Sequence, residues 1–140
     1  MTYCIVCPSQ RPRWFYEETA REYEKRLSRI CKILKIRGRI PCHALTGKGS
    51  APVTSSDLVI LLSANGTYLS SEDMAERLKT IEYRGGFNRV IFSFESEFFP
   101  EYDEIWTLTS VSLPADLQKV LLLEQIYRTQ KIIHNEPYHK

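Results

Sequence analysis

The sequence predicts a single α/β domain, residues 1–140, built on a mostly parallel β-sheet. Three observations support this fold class. Strand-like and helix-like segments alternate along the chain. The segment Leu58–Leu62 is continuously apolar, which is typical of a parallel strand covered on both faces, and Val90–Phe94 has the composition of another buried strand. The helix-like segments repeat apolar residues every three or four positions.

The N-terminal part is predicted to contain a strand, a helix and a second strand. Thr2–Cys7 has the composition of a short buried strand. Pro12 suits the first turn of a helix, and an apolar helical face then runs from Trp14 to Leu34. From Ile36 to Cys42 apolar residues alternate with arginine, which predicts a strand with one solvated face. Residues 46–56 are rich in Gly, Ser and Pro and are predicted to form a loop.

The central part is predicted to contain a turn and a helix after the apolar strand. Ser63–Thr67 has the composition of a turn. Ser70, followed three residues later by Asp73, is typical of a capping box and predicts a helix start. Gly85 and Gly86 are predicted to end that helix.

The C-terminal part is predicted to contain a short strand, Glu104–Leu108, a turn over residues 109–114, and a helix from Ala115 to Ile133. The helix centre, Val120–Leu123, is apolar on nearly every side. A helix of this kind must be covered on every side, so the pattern predicts packing against a second subunit.

Charge is distributed unevenly along the chain. Residues 1–50 carry 11 Lys and Arg against 4 Asp and Glu, whereas residues 51–140 carry 8 against 13. The asymmetry is compatible with a solvated basic helix face or with a surface that binds an anion such as nucleic acid. Much of the surplus is predicted to lie along the first helix, at Arg21, Lys25, Arg29 and Lys32.

The four cysteines do not form a recognisable redox or zinc motif. Cys4 and Cys7 form a C-x-x-C within a strand, whereas a redox pair should open a helix. Cys31 and Cys42 do not supply a second pair at zinc spacing. We expect small buried side chains in a reducing cytoplasm and no bound metal. We also expect no membrane partner and no signal peptide, since the apolar runs are short.

Two C-terminal motifs carry a family resemblance. The segment Leu122–Arg128 and the tail Pro137–Lys140 resemble the end of the large-subunit rRNA pseudouridine N3-methyltransferases, the RlmH family of the SPOUT superfamily. The resemblance extends in register to Leu62–Thr67, Ser70–Glu72 and Trp106–Pro114. It covers most of the chain.

The resemblance implies a SPOUT α/β domain with a C-terminal trefoil knot and a homodimer formed through the knot region. It implies that S-adenosylmethionine binds in the knot and that its methyl group is transferred to N3 of a pseudouridine in ribosomal RNA. The matching positions place cofactor contacts at Leu62, at the loop around Phe94, and in the segment before the last helix. In that segment they are Thr109, Ser110, Val111, Ser112, Leu113 and Pro114.

The same resemblance implies RNA contacts from Arg128, His139 and Lys140, together with the basic first helix. Loss of the N3 proton calls for a general base that titrates near neutral pH, and His139 is the candidate by motif. Phosphate binding is an alternative role for His139, and His134 could perform either task. His43 is expected to be structural.

The sequence departs from the family where the cofactor would bind. The family has a Gly-Gly-x-x-Gly loop after its fourth strand, but this chain has Ser93-Phe94-Glu95-Ser96. Side chains at these positions either close the pocket or belong to a rebuilt loop, with Phe94 stacked on adenine or Glu95 beside the sulfonium. Two hypotheses therefore remain: an active rRNA methyltransferase, and an inactive relative that acts as a dimeric RNA- or ribosome-binding module.

Overall fold

The computed structural model describes residues 1–6, 11–36, 56–94 and 102–137. Strands and helices alternate through these residues, as the sequence predicts. In chain order they are β1 (Thr2–Val6), α1 (Trp14–Leu27), β2 (Lys32–Ile36), β3 (Asp57–Tyr68), α2 (Ser71–Arg84), β4 (Arg89–Phe94), β5 (Glu104–Thr107) and α3 (Ala115–Ile133).

The five strands of the described residues form one sheet in the order β2-β1-β4-β3-β5. Every neighbouring pair is parallel, which confirms the predicted fold class. The carboxyl ends of all five strands therefore lie at one edge of the sheet. Strand β3 lies between β4 and the edge strand β5.

Helix α1 is shorter than predicted, and a strand, β2, precedes the predicted strand Ile36–Cys42, of which only Ile36 lies among the described residues. The helix ends at Leu27, and the backbone N–H groups of Ile30 and Cys31 both donate to the Leu27 carbonyl, which closes a tight turn. Lys32 then starts β2, in register with Thr2 of β1. The expected helix to Leu34 is wrong because the apolar spacing continues through the turn, so periodicity alone does not mark the helix end. Consequently Arg29 and Lys32 do not lie on α1.

Strand β3 continues where a turn was predicted. It runs to Tyr68, and its pairing with β5 shifts register between Leu62 and Thr67, both of which lie opposite Trp106. The residues between them form an irregularity within the strand rather than a turn that ends it. The turn composition therefore marks a bulge-like break in the ladder, which sequence composition does not distinguish from a chain reversal.

Both predicted ends of α2 are confirmed. The Ser70 hydroxyl accepts a hydrogen bond from the Asp73 backbone at 3.1 Å, and the Asp73 carboxylate accepts one from the Ser70 backbone at 3.4 Å. At the other end Gly85 and Gly86 adopt φ values of 70° and 95°, which disfavour residues with a Cβ. The predicted limits of α3 are also confirmed.

Helix α3 packs between α1 and α2 on one face of the sheet. Leu122, Leu123 and Ile126 are fully buried in the core that these helices share with the strands. The other face of the sheet buries Cys4 and Ile91. The apolar centre of α3 is thus covered largely within the chain. The apolar pattern of this helix therefore gives no separate reason to expect a second subunit.

A candidate cofactor cleft at the carboxyl edge of the sheet

A cleft opens where the regular pairing of β3 is interrupted after Leu62 and where β5 ends, beside the start of α3. In open parallel sheets, ligands bind toward this edge, in the crevice at the carboxyl ends of the strands. The lining comes from the irregular stretch of β3, from the segment after β5, and from one side of α3. These residues are Leu62, Ser63, Ala64, Leu108, Thr109, Val111, Ser112, Gln118 and Leu121.

The irregular stretch of β3, which supplies Ser63 and Ala64 to the cleft, depends on one side chain and one glycine. The Thr107 hydroxyl donates to the Ser63 carbonyl at 2.7 Å and accepts from the Gly66 N–H at 2.8 Å, which spans the irregularity in β3. A Cβ at Gly66 would lie 2.7 Å from the backbone carbonyl carbon and oxygen of Ile105. Glycine is therefore required here for close approach of two strands rather than for an unusual φ.

The segment after β5 is attached to α3 by its own polar groups. The side-chain amide of Gln118 donates to the Leu113 carbonyl at 2.8 Å, and the Thr109 hydroxyl accepts from the Val111 N–H at 3.2 Å. Val111 is 62% exposed at the rim. These bonds hold one wall of the cleft in place through backbone groups.

Strand β5 is anchored to α2 by a partly buried ion pair. Arg77 donates to both carboxylate oxygens of Glu104, at 2.6 and 3.2 Å, and the Trp106 indole donates to the same carboxylate at 3.1 Å. Burial raises the pKa of Glu104, but these hydrogen bonds outweigh it and the pKa is lowered overall. Glu104 therefore remains charged and holds the edge strand that leads into the cleft segment.

The described lining contains no charged side chain. It combines leucine surfaces with the hydroxyls of Ser63, Thr109 and Ser112 and the amide of Gln118. The cleft has a volume of about 470 Å³ when the part open to solvent is included. Such a surface can hold a flat uncharged ring and the hydroxyl groups attached to it.

Four of the predicted cofactor residues line this cleft together: Leu62, Thr109, Val111 and Ser112. The other three in the segment after β5 are Ser110, Leu113 and Pro114. Leu113 is held by Gln118, and Pro114 caps the start of α3. Contacts with a cofactor remain a prediction for all seven.

Phe94 does not line the cleft. It pairs with Leu62 across β4 and β3, and its side chain is fully buried in the core. The proposed stacking of this ring on adenine is therefore not supported, and a contact from Phe94 would have to come from its backbone. The ring also does not block the cleft. Glu95 and Ser96 lie outside the described residues.

The distinctive C-terminal motif is held in a network that joins α3 to α2. Arg128 pairs with Glu124 at 2.8 Å and approaches the Ser71 hydroxyl at 3.4 Å, while Ser71 donates to the Gln125 side chain at 3.0 Å. Two motifs that are far apart in sequence thus meet in space. Arg128 is only 30% exposed, so its predicted RNA contact competes with these partners.

The candidate bases lie at the other end of α3 or outside the described residues. His134 caps α3 at its C-terminus, about 27 Å along the helix from the cleft segment. His139 and Lys140 follow the last described residue, as Tyr138 does, and His43 also falls outside the described ranges. The general base therefore remains a prediction from the motif.

The parallel-sheet pattern predicts a ligand site in the loops after Leu62, Phe94 and Leu108, and Ser63, Ala64 and Leu108 lie at two of these places. Sequence reasoning misses Gln118 and Leu121, which belong to a helix whose pattern indicates only packing. The sequence also does not show that β3 and β5 are neighbours, because strand order cannot be obtained from local composition.

The described part of the chain contains no cluster of three metal-ligating side chains. None of its helices is long and apolar enough to cross a membrane. Cys4 is buried and Cys31 is half-buried, both as free thiols, while Cys7 and Cys42 lie outside the described ranges. Burial, reinforced by Glu82, raises the pKa of the Cys31 thiol to about 11, as expected for an unreactive side chain.

A parallel α/β domain with a neutral cleft beyond β3 and β5 defines a small-molecule-binding protein of the open-sheet class. Comparison with known proteins gives the family. The family model described as a predicted SPOUT methyltransferase matches residues 1–139, and the chain belongs to that family.

Curated relatives match the chain over essentially its full length. Ribosomal RNA large subunit methyltransferase H 1 of Thermoanaerobacter sp. (strain X514) is 30% identical over 142 residues, covering 100% of both chains. The protein named Ribosomal RNA large subunit methyltransferase H in Acetivibrio thermocellus is 28% identical, again covering 100% of both chains. That of Stenotrophomonas maltophilia is 30% identical over 97% of this chain and 96% of its own.

Proposed function

We propose that the protein is an S-adenosylmethionine-dependent methyltransferase that methylates N3 of a pseudouridine in large-subunit ribosomal RNA. The observation that carries the proposal is the cleft, which combines Leu62 with Thr109, Val111 and Ser112 in a chain of the SPOUT family. The names of the relatives supply the substrate class. A cytoplasmic location follows from a ribosomal substrate.

The described lining fits the adenosine part of this cofactor. Apolar surfaces of Leu62, Leu108 and Leu121 suit the faces of a purine, and the hydroxyls of Thr109 and Ser112 suit a ribose. The bound cofactor would supply an electrophilic methyl group on a sulfonium. The chain must hold that group in line with N3 and accept the N3 proton, so that the methylated nitrogen leaves as a neutral imide.

We further propose that His139 accepts the proton and that the active form is a homodimer joined through a C-terminal trefoil knot. The reach of the tail supports two subunits. Glu136 is folded back on Lys131, with its N–H 2.8 Å from the Lys131 carbonyl and its carboxylate 2.7 Å from the ammonium. The stretch of α3 from Leu121 to Lys131 is about 15 Å long.

From Glu136 to His139 the chain spans at most about 11 Å. The α-carbon of His139 in a fully extended tail falls about 4 Å short of Leu121, the lining residue nearest to the tail, so within one copy only a fully extended tail brings the imidazole to the cleft. A tail from a second copy is not under this constraint. Arg128, Lys140 and α1 are proposed to contact the RNA backbone.

The second candidate is an inactive relative that binds RNA or the ribosome, because the chain lacks the glycine loop of the family. One observation favours this second candidate: the cleft volume that the centres of water molecules could occupy is only about 70 Å³. A cofactor would have to widen this space. The two candidates differ in whether S-adenosylmethionine binds at all.

Calorimetric titration with S-adenosylmethionine tests the proposal. We expect saturable binding by the wild-type protein and its loss in Ser112→Tyr, because a phenol at this lining position fills the cleft. Ser28→Tyr makes the same change at an exposed site after α1 and should bind normally. Absence of binding by the wild type at millimolar ligand would establish the inactive relative instead.

A further inference from the structure

An exposed aromatic pair stands at the start of α1. Trp14 is 75% exposed and Phe15 41%, which is unusual for side chains of this size. Their rings meet edge to face, with centroids 5.7 Å apart and planes at 84°. Whichever ring supplies the edge, at least one face of the Trp14 indole is left uncovered by Phe15.

The position of this pair is fixed by an ion pair that joins α1 to α3. The Arg13 guanidinium donates to both carboxylate oxygens of Asp116, at 2.9 and 3.0 Å, and its backbone N–H donates at 3.1 Å. The same guanidinium lies over the rings of Phe15 and Tyr16, at 5.6 and 4.8 Å from their centroids. Asp116 lies in the first turn of α3, directly after the cleft segment, so the ion pair places the start of α1, with Trp14, against the start of α3.

The proposed reaction requires an unpaired RNA base to be held in place, and exposed aromatic rings such as Trp14 can hold one. N3 lies on the base-pairing edge of a pseudouridine, so the target nucleotide must be unpaired when the methyl group is transferred, as it is when it lies in a single-stranded loop. Unpaired bases in RNA are held mainly by stacking on aromatic side chains and by cations along the backbone. Residues 11–36 carry eight Lys and Arg against four Glu, and six of these eight cations lie from Arg21 onward. This distribution suits an RNA backbone that runs from Trp14 along α1 toward its C-terminal end.

We infer that Trp14 is a stacking platform for an unpaired base of the RNA substrate, next to the nucleotide that enters the cleft. The inference rests on the proposed RNA substrate. Trp14 acts as a positioning residue, and it takes no part in the proton or methyl transfer. The exposed parts of the two aromatic side chains amount to roughly 250–300 Å², well below the ~800 Å² that each partner of a stable protein interface buries. A second copy of the chain is therefore the weaker candidate for this surface.

Binding of a short single-stranded RNA, and of the same sequence as a duplex, tests the inference by fluorescence anisotropy. We expect Trp14→Ala to weaken single-strand binding by about 5- to 150-fold, the range for losing one base stack. Trp14→Phe should recover part of the loss, and duplex binding should depend less on the indole. Tyr83→Ala removes an aromatic ring that is 69% exposed on the last turn of α2, at the other edge of the sheet, and should bind as the wild type does.

Tryptophan emission gives a second readout that does not depend on the alanine variant folding. Trp106 is only 2% exposed, so stacking should quench the emission of the wild type and leave that of Trp14→Phe nearly unchanged. Equal RNA affinity of Trp14→Ala and the wild type would overturn the inference. So would a fall in oligomer mass that accompanies the loss of RNA binding. A wild type that binds RNA through Trp14 but transfers no methyl group would overturn only the proposed function.

Discussion

Gly66 is the residue on which the irregular stretch of β3 most directly depends. We expect Gly66→Ala to destabilise the protein by about 1–3 kcal/mol, since the new methyl group overlaps the Ile105 backbone and neither strand can move without strain. Urea denaturation measures the change. Asn65→Ala alters an exposed neighbour in the same irregular stretch and should stay within about 0.5 kcal/mol of the wild type. Equal denaturation midpoints for the two variants would contradict the close approach.

Residue roles were partly predictable because some depend on local structure and others on distant partners. Ser70 and Gly85 cap α2 through groups that are close to them in sequence, so their capping roles could be predicted from spacing alone. Phe94 and Arg128 were assigned from motif position, but their surroundings come from other strands and helices. One is a core side chain, and the other is held by Glu124 and Ser71.

At the scale of elements, β3 and β4 are joined by a buried ion pair. Asp57 and Arg89 are register partners, with two hydrogen bonds of 2.7 and 3.0 Å and side chains only 2% and 16% exposed. We expect Asp57→Asn to cost about 3–5 kcal/mol of unfolding free energy, because the Arg89 charge is left buried without its counter-charge. Urea denaturation at several salt concentrations measures this cost and shows whether it resists screening.

Two comparisons control this experiment. Glu22→Gln removes a carboxylate from the exposed pair with Arg26 and should cost less than about 1 kcal/mol. Replacing both partners, as in Asp57→Leu with Arg89→Met, should recover much of the stability lost in Asp57→Asn. If the double variant were no more stable than Asp57→Asn, the buried unpaired charge would not be the cause.

Element boundaries were predictable where a capping residue or glycine marks them and not elsewhere. Helix α2 has both signals and α3 has proline at its start, and the limits of both helices were close to those predicted. Helix α1 ends without glycine, at a turn closed by backbone hydrogen bonds. Ile30 and Leu34 continue its apolar spacing by coincidence, which moved the predicted end beyond the true one.

At the scale of the whole molecule, the parallel sheet was predictable and its strand order was not. The continuous apolar run in β3 indicates a strand covered on both faces, but no local signal states that β1 lies between β2 and β4. The cleft depends on strand order, because β3 and β5 must be neighbours. The parallel-sheet pattern predicts the position of the site at the strand ends, the family resemblance supplies its expected ligand, and the structure gives the residues that surround it.

The Arg13–Asp116 ion pair joins the start of α1 to the start of α3, and it makes the stability of the fold depend on pH. Hydrogen bonds from Arg13 hold the pKa of Asp116 at about 2, against an ordinary value of 3.8. Because the folded pKa is the lower one, the pair stabilises the fold above about pH 4, and its contribution is lost as the pH falls to about 2.

We expect Asp116→Asn to lower the urea midpoint near neutral pH and to converge with the wild type near pH 2. Glu72→Gln, a change of an exposed carboxylate on α2, should not show this convergence. A midpoint difference between Asp116→Asn and the wild type that stayed constant from pH 7 to pH 2 would show that the Asp116 charge does not join α1 to α3.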